Sequence, residues 1–189
     1  TNNIGKYKEI CALLPKKVKK YSPKALKIIT PDENGKTFKE NSFIKASYFS
    51  KKTNLICLSD DSGLEIKLLN NKPGIYSARW AGTKNNFNLA IKKIYKEINK
   101  SKKNWKNSKV KAKFVCCLTI VWPNGKSYSS QGSVKGKISN RKRGANGFGY
   151  DSIFIPDGFS KTYGEFDPKF KMLIDHRSKA FKKINFFFN

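Results

Sequence analysis

The sequence predicts an α/β fold, a mixed β-sheet with flanking helices. Three observations predict it. Residues 86–99 place Phe87, Ala90, Ile91, Ile94, Tyr95 and Ile98 at helical spacing, one apolar stripe on an otherwise polar segment. Residues 111–122 and 128–138 are two extended runs joined by Pro123-Asn124-Gly125-Lys126, whose Asn-Gly pair is a hairpin signal. Helical and strand patterns interleave without strict βαβ alternation and no linker divides the chain, so residues 1–189 read as a single domain.

The elements follow in order. Residues 6–14 read as a short helix closed by Pro15, and residues 25–29 as a strand. A loop with two acids, Asp32-Glu33-Asn34-Gly35, leads to Thr37-Phe38-Lys39-Glu40, a capping box in which the Thr hydroxyl accepts from the Glu40 amide and the Glu side chain reaches back. The helix it opens is expected to run to about residue 51, with Phe43, Ala46 and Phe49 facing the core. Residues 55–58 read as a buried strand that ends in Ser59-Asp60-Asp61-Ser62-Gly63, and residues 64–68 alternate as a second strand does. Asn70-Asn71-Lys72-Pro73-Gly74 is turn material, residues 100–108 a surface linker, and residues 140–149 a basic, glycine-rich loop. Residues 152–155 read as a further strand. A last helix begins near His176 and turns Ala180, Phe181, Ile184 and Phe188 inward.

Composition narrows the function. A hydrophobic fraction of 38% is low, but aromatics supply 13% of the residues and bury more area each, so the 189-residue chain can form a core. There are 40 Lys+Arg against 13 Asp+Glu, a net charge of +27, which attracts nucleic acid, acidic membrane surfaces or phosphorylated small molecules. The excess is almost all lysine, the arginines being Arg79, Arg141, Arg143 and Arg177. Base-reading and phosphate-clamping surfaces favour the planar fork of arginine. Most of these lysines therefore read as solvated surface, and nucleic acid is not a required partner. No apolar run approaches the roughly 20 residues that span a bilayer, and no repeat period is present. Cys11, Cys57, Cys116 and Cys117 form no C-x-x-C pair and read as free thiols of a reducing compartment, which, with no signal peptide in view, points to the cytoplasm.

Five features carry chemistry. Asp60-Asp61-Ser62-Gly63 sets two carboxylates at the end of a buried strand, costly unless a cation binds them, and Mg²⁺ or Mn²⁺ is the natural partner; a polar turn is the plain alternative. Glu33 has no local structural task and can join that site, whereas Glu40 has one in the capping box. Thr1-Asn2-Asn3-Ile4-Gly5-Lys6 places small polar residues and a lysine at a helix start, which suits phosphate or an ordinary cap. Gly144-Ala145-Asn146-Gly147-Phe148-Gly149-Tyr150-Asp151 lets the backbone lie against a planar ligand while Phe148 or Tyr150 stacks on a base and Asp151 accepts from it; a wide turn does as well. Lys171 and His176-Arg177 put cations near a helix start, where the dipole does not favour them. Carboxylates for a metal, lysines for phosphates and an aromatic-glycine loop for a base add up to a nucleoside triphosphate.

In this order, Thr1-Asn2-Asn3-x-x-Lys6, Glu33-x-Gly35-x-Thr37-Phe38-x-Glu40-Asn41-x-x-x-Lys45-Ala46, Asp60-Asp61-Ser62-Gly63-Leu64, Pro73-Gly74-x-Tyr76-Ser77-Ala78-Arg79, Gly147-Phe148-Gly149-Tyr150-Asp151 and His176-Arg177 resemble the inosine triphosphate pyrophosphatase family along essentially the whole chain. The resemblance implies two lobes around a central nucleotide-binding cleft, usually in a homodimer. It implies Mg²⁺-dependent hydrolysis of ITP, dITP and XTP to the monophosphate and pyrophosphate, with water attacking the α-phosphorus. Asp61 is then the general base and a metal ligand, Glu33 the other metal-side carboxylate, and Lys45 a catalytic partner. Thr1, Asn2, Asn3, Lys6, Lys45 and Ser62 hold phosphates. Phe148 stacks on the purine, and Gly149, Tyr150, Asp151, Lys171, His176 and Arg177 line the nucleotide and base pocket. The family has an apolar strand before Thr-Asn-Asn, whereas this sequence opens at Thr1. Ser152, Gly164-Glu165-Phe166 and Asp175 also depart from its usual residues. The rival readings are a pyrophosphatase of different base preference, a lysine-rich nucleic-acid-binding domain, and a nucleotide-binding protein without turnover.

Overall fold

The computed structural model describes residues 1, 3–82 and 85–188. Its helices are α1 (Ile4–Leu13), α2 (Phe38–Thr53), α3 (Phe87–Ser101), α4 (Pro168–Ile174) and α5 (His176–Phe181); its strands are β1 (Cys57–Ile66), β2 (Lys72–Pro73), β3 (Lys111–Val121), β4 (Ser127–Ile138) and β5 (Phe154–Pro156). The five strands form one sheet in the order β2-β1-β3-β4-β5. β1 and β2 pair antiparallel with Glu65 opposite Pro73, as do β4 and β5 with Gly136 opposite Pro156. The α/β class and the flanking helices are those expected. Among the described residues no helix is long and apolar enough to cross a membrane.

Caps explain most helix starts. Asn3 accepts from the Lys6 amide at 3.0 Å to open α1, and Asn86 accepts from the Asn88 and Leu89 amides to open α3. Thr37 accepts from the Glu40 amide at 3.1 Å at the start of α2. The Glu40 carboxylate reaches one residue further back than a capping box requires, to the Lys36 amide at 2.7 Å. The β3–β4 hairpin closes at the Asn-Gly pair, with the Trp122 amide donating to the Lys126 carbonyl at 2.9 Å.

The chain divides into two compact units. The first comprises Thr1–Asp61, Cys116–Gly132 and His176–Asn189. Its core is Cys116, Leu118 and Ile120 of β3 against Ala180, Phe181 and Ile184, with Leu13, Leu14, Leu58, Trp122 and Phe188 packed around them. The Ser130 hydroxyl donates to the Ala180 carbonyl at 2.9 Å, holding the start of β4 to α5. The second unit comprises Ser62–Val115 and Ser133–Asp175. Here α3 buries Ala90, Ile91, Ile94 and Ile98, the stripe read from its periodicity. Phe114, Phe154, Tyr163 and Phe166 build an aromatic core, Phe114 meeting Phe154 edge-on at 4.7 Å.

Several sequence expectations are corrected. The two strands expected over 55–58 and 64–68 are one strand, β1, running straight through Asp60-Asp61-Ser62-Gly63. Turn residues stay extended because cations reach both carboxylates, as described below. Gly63 serves close approach rather than turning, since a Cβ there meets the Gly74 carbonyl and the Ser77 hydroxyl. Leu55 and Ile56 lie outside the strand, Ile56 at 58% exposure. Residues 25–29 are not a strand: the Ser22 hydroxyl accepts from the Ala25 amide at 3.1 Å and the segment closes as turns. Phe43 is 43% exposed, because the inner face of α2 carries Phe38, Asn41, Ser42, Lys45, Ala46 and Phe49 instead. Trp105, in the stretch read as surface, is buried and stacks on Tyr95 at 5.4 Å. Strand β5 starts two residues later than expected, after a 3₁₀ turn at Asp151–Ile153. α4, opened by Asp167 ahead of Pro168, had no sequence reading, and α5 ends at Phe181 with a separate 3₁₀ turn at Asn185–Phe188.

This packing separates two phenylalanines. Phe154→Ala is expected to cost about 3–5 kcal/mol of stability, and Phe43→Ser no more than about 0.5 kcal/mol. Urea unfolding measures both, and a large loss from Phe43→Ser would return that residue to the core.

Candidate active site

In the first unit, charged side chains from α1, α2, β1 and α5 converge. Asp60 and Asp61 are neighbours on β1 and both are buried. Lys6, in the first turn of α1, places Nζ 3.2 Å from Asp60 Oδ2, and Arg177 Nη2 lies 3.4 Å from the same oxygen. Arg177 Nη1 pairs with Glu9 of α1. Lys45, one turn along α2 from Asn41, points Nζ at Glu33 Oε1, 2.8 Å away, and lies 3.7 Å from Asp61 Oδ1. The Asn41 amide donates to Asp61 Oδ2 at 3.2 Å.

The two carboxylates end in opposite states. Burial alone raises Asp60, but Lys6, Arg177 and Lys45 more than reverse it and hold its carboxyl well below the usual range. Asp61 is also raised by burial. Lys45 and Lys6 oppose this, Glu33 and Asp60 add to it, and the carboxyl is pushed up to about 6. Lys45 stays protonated above its ordinary range, since Asp61, Asp60 and Glu33 outweigh its burial. Burial is the leading cause for Asp61, and the one buried ammonium beside it, shared among three carboxylates, does not reverse the rise. Adjacent acids whose proton affinities are driven apart are the pattern of acid–base sites.

Of the other residues expected on the phosphate side, the Thr1 hydroxyl accepts from the Asn3 amide at 3.3 Å, and Asn3 caps α1. Asn2 lies outside the described residues. Ser62 follows Asp61 on β1 and belongs to the second unit, while His176 is buried at the start of α5 in the first. Among the described residues no group of three or more His, Cys, Asp and Glu is arranged to hold a metal ion unaided. A cavity of about 710 Å³ in the same unit includes Thr1, Tyr7, Cys11, Phe49, Cys57 and Ser59 in its lining, but none of the clustered acids or their lysines.

A second cluster forms within the second unit. Gly144, Gly147 and Gly149 all take positive φ in the loop before Asp151. Asp151 Oδ2 accepts from the Phe148 amide at 2.9 Å and from Lys171 Nζ at 2.7 Å. The same ammonium lies 5.0 Å from the Phe148 ring centroid and 5.6 Å from that of Tyr163. Phe148, Asp151 and Lys171, 23 residues apart at the extremes, are thus one constellation. Tyr150 is committed to the fold: its hydroxyl donates to the Ser77 carbonyl at 2.8 Å, its ring meets Phe87 at 5.2 Å, and burial raises its phenol.

The sequence motifs contain Asn41 but assign it no task, and Glu9 lies outside them. Asn41 and Lys45 stand four residues apart, one helical turn, which is a signal that both line one face of α2. Glu9 stands three residues from Lys6 on α1, but its partner Arg177 is 168 residues away and no local pattern reveals it.

Comparison with known proteins agrees along the whole length. The Ham1 family profile matches residues 1–187. A dITP/XTP pyrophosphatase of Caulobacter vibrioides is 39% identical over 184 residues, covering 97% of this chain and 93% of its own. One of Bacillus licheniformis is 40% identical over 189 residues, covering 98% and 93%. Among solved structures, a HAM1 protein from Coxiella burnetii superposes with a TM-score of 0.87 at 32% identity, covering 99% of this chain and 94% of the other. The Staphylococcus aureus Ham1 protein gives 0.82 at 32% identity and the same coverage.

The two aspartates link stability to pH with opposite signs. Asp60, held low, contributes stability that is present above about pH 4, where an unfolded aspartate ionises, and is lost progressively as the pH falls below it. Native Asp61 takes up its proton at about pH 6, an unfolded aspartate at about pH 4. The native state therefore carries an extra proton between those values and loses stability as the pH rises through them, on the order of 2–3 kcal/mol in all. In chelator-treated protein, Asp61→Asn is expected to abolish that slope and to raise the urea midpoint at neutral pH. A variant less stable than the wild type under those conditions would show the Asp61 charge to be fully compensated.

Proposed function

The chain belongs to the Ham1 family, and from that premise we propose that it hydrolyses the non-standard purine triphosphates ITP, dITP and XTP to the monophosphate and pyrophosphate. The observation that carries this reading is Asp61, a buried carboxylate raised toward neutrality and sharing Lys45 with Glu33, in a chain whose full length matches dITP/XTP pyrophosphatases.

The donor set fits a hard divalent cation. Asp61 and Glu33 offer carboxylate oxygens beside a single ammonium; burial raises Asp61 first of all, and the charge of Glu33 adds to it. Mg²⁺ is held by one or two carboxylates plus substrate phosphates rather than by a full protein cage, and Mn²⁺ suits the same donors. Asp61 and Glu33 would hold it, and when bound it supplies positive charge to the phosphates and to the leaving pyrophosphate.

The chain's own residues do the rest. Asp61, with a proton affinity near neutrality, orients the attacking water and accepts its proton as the α-phosphorus is struck. Lys6 and Lys45 offset charge on the triphosphate, and Thr1, Asn2, Asn3 and Ser62 supply small polar contacts beside them. On the base side, Phe148 offers a ring to stack on the purine. Lys171 donates and Asp151 accepts, the complement of a 6-oxopurine edge and the reverse of adenine's. Gly149 and Tyr150 shape that loop. His176 and Arg177 carry over from the family pattern as further base-side residues, with the Arg177 fork shared with Glu9 and Asp60. A single catalytic domain over residues 1–189, a homodimer and a cytoplasmic setting complete the proposal.

The test is pyrophosphate release from ITP, XTP, dITP, GTP and ATP with Mg²⁺, for wild type and Asp61→Asn. The first three substrates are expected to be cleaved about 100-fold or more faster than ATP, and the variant to lose about 10²–10⁴-fold in kcat. Equal release from all five would remove the base discrimination, and no release from any would overturn the reading.

A further inference from the structure

Asn41 is fully buried on α2, and both ends of its amide are engaged. Oδ1 accepts from the Gly35 amide at 2.8 Å, and Nδ2 donates to Asp61 Oδ2 at 3.2 Å. The orientation is not arbitrary: a backbone N–H only donates, so the oxygen must face Gly35 and the NH₂ is left to face the carboxylate. Gly35 lies two residues beyond Glu33, on the loop ahead of α2. It presses on this amide so closely that a Cβ there would stand 2.7 Å from Asn41 Oδ1 and 2.7 Å from Glu40 Cβ. Lys45, one turn further along α2, takes Glu33 Oε1 at 2.8 Å and lies 3.7 Å from Asp61 Oδ1.

We propose that Asn41 is a positioning residue that sets both carboxylates of the hydrolytic site at once. It engages Oδ2 of Asp61 and so turns Oδ1 toward Lys45, and it pins through Gly35 the loop that brings Glu33 to the same ammonium. A half-exposed glutamate on a loop samples many rotamers, and an aspartate can rotate its carboxylate plane. One rigid amide on a helix removes both freedoms, in the way outer partners orient the ligands of metal sites. The inference rests on the pyrophosphohydrolase reading for its kinetics, but not for its binding arm.

The experiment compares wild type, Asn41→Ala, Asn41→Asp and Gly35→Ala by melting temperature, by kcat and KM for ITP with Mg²⁺, and by Mn²⁺ titration of the nucleotide-free protein followed by the paramagnetic resonance signal of free Mn²⁺. Asn41→Ala is expected to lose about 10–100-fold in kcat and in Mn²⁺ affinity, with KM for ITP changed by less than about 3-fold. Asn41→Asp keeps the acceptor for Gly35 and loses the donor to Asp61. It should lose kcat as Asn41→Ala does, and it stands in if the alanine variant does not fold. Gly35→Ala should move the same quantities in the same direction, since its Cβ would press on the Asn41 amide oxygen as well as on Glu40 Cβ. Folded variants with a lowered melting temperature but wild-type kcat and Mn²⁺ affinity would overturn the proposal and leave Asn41 a packing residue. If the wild type itself turns over no nucleotide, the function assigned above fails. The Mn²⁺ arm still decides on Asn41, unchanged affinity refuting it and a 10-fold or greater loss (about 1.4 kcal/mol) supporting it.

Discussion

Two carboxylates side by side on a buried strand impose the condition that the rest of the first unit meets. Burying one unpaired charge costs several kcal/mol even after relaxation, and two adjacent ones repel as well. Asp60 is supplied from both ends of the chain, by Lys6 of α1 and Arg177 of α5. Glu9 adds an acid to balance the arginine. Two helices far apart in sequence are thus tied to one oxygen of β1, and Asp60 becomes an anchor that stays ionised. Asp61, one residue on, receives less. Its ammonium also serves Glu33, and the Asn41 amide that donates to it carries no charge. The same strand therefore carries one permanent charge and one proton acceptor poised near neutrality.

α2 delivers most of that second environment. Its buried face holds Asn41, Ser42 and Lys45 among Phe38, Ala46 and Phe49, more polar than a helix needs for packing alone. Ser42 is satisfied by the Thr119 hydroxyl at 2.6 Å, and Asn41 and Lys45 by the groups already described. Such a face is stable only when each polar atom has its partner, so it fixes one arrangement of α2 against β1 and β3.

The lysine excess sorts by burial. Among the described residues, only Lys45 and Lys171 are buried lysines, and each lies within 3 Å of a carboxylate oxygen. Lys6, beside Asp60, keeps 17% of its side chain exposed; a fully solvated ammonium contributes little beyond the general field. The net charge of +27 describes the surface; the chemistry belongs to the few ammonium groups that have lost solvent and acquired acids.

Local patterns were enough for much of the fold. Asn3, Thr37 and Asn86 mark helix starts, the stripe on α3 marks its buried face, and Asn124-Gly125 marks the hairpin, because each depends on residues within about one helical turn. The ordered motifs also identified Asp61, Glu33, Lys45, Phe148, Asp151 and Lys171 as candidates. Local patterns failed where partners are distant. Asp60-Asp61-Ser62-Gly63 has the composition of a turn and is strand, because Lys6, Lys45 and Arg177 compensate its charge there. Phe43 has the hydrophobicity of a core residue and lies outside, because Asn41, Ser42 and Lys45 share the inner face of α2 with Phe38, Ala46 and Phe49. By itself the sequence determined which residue types and which local elements are available. Only the tertiary structure decided which of two adjacent aspartates titrates and what orients it, since a proton affinity depends on charges within a few ångströms, and here those come from residues 6, 33, 45 and 177.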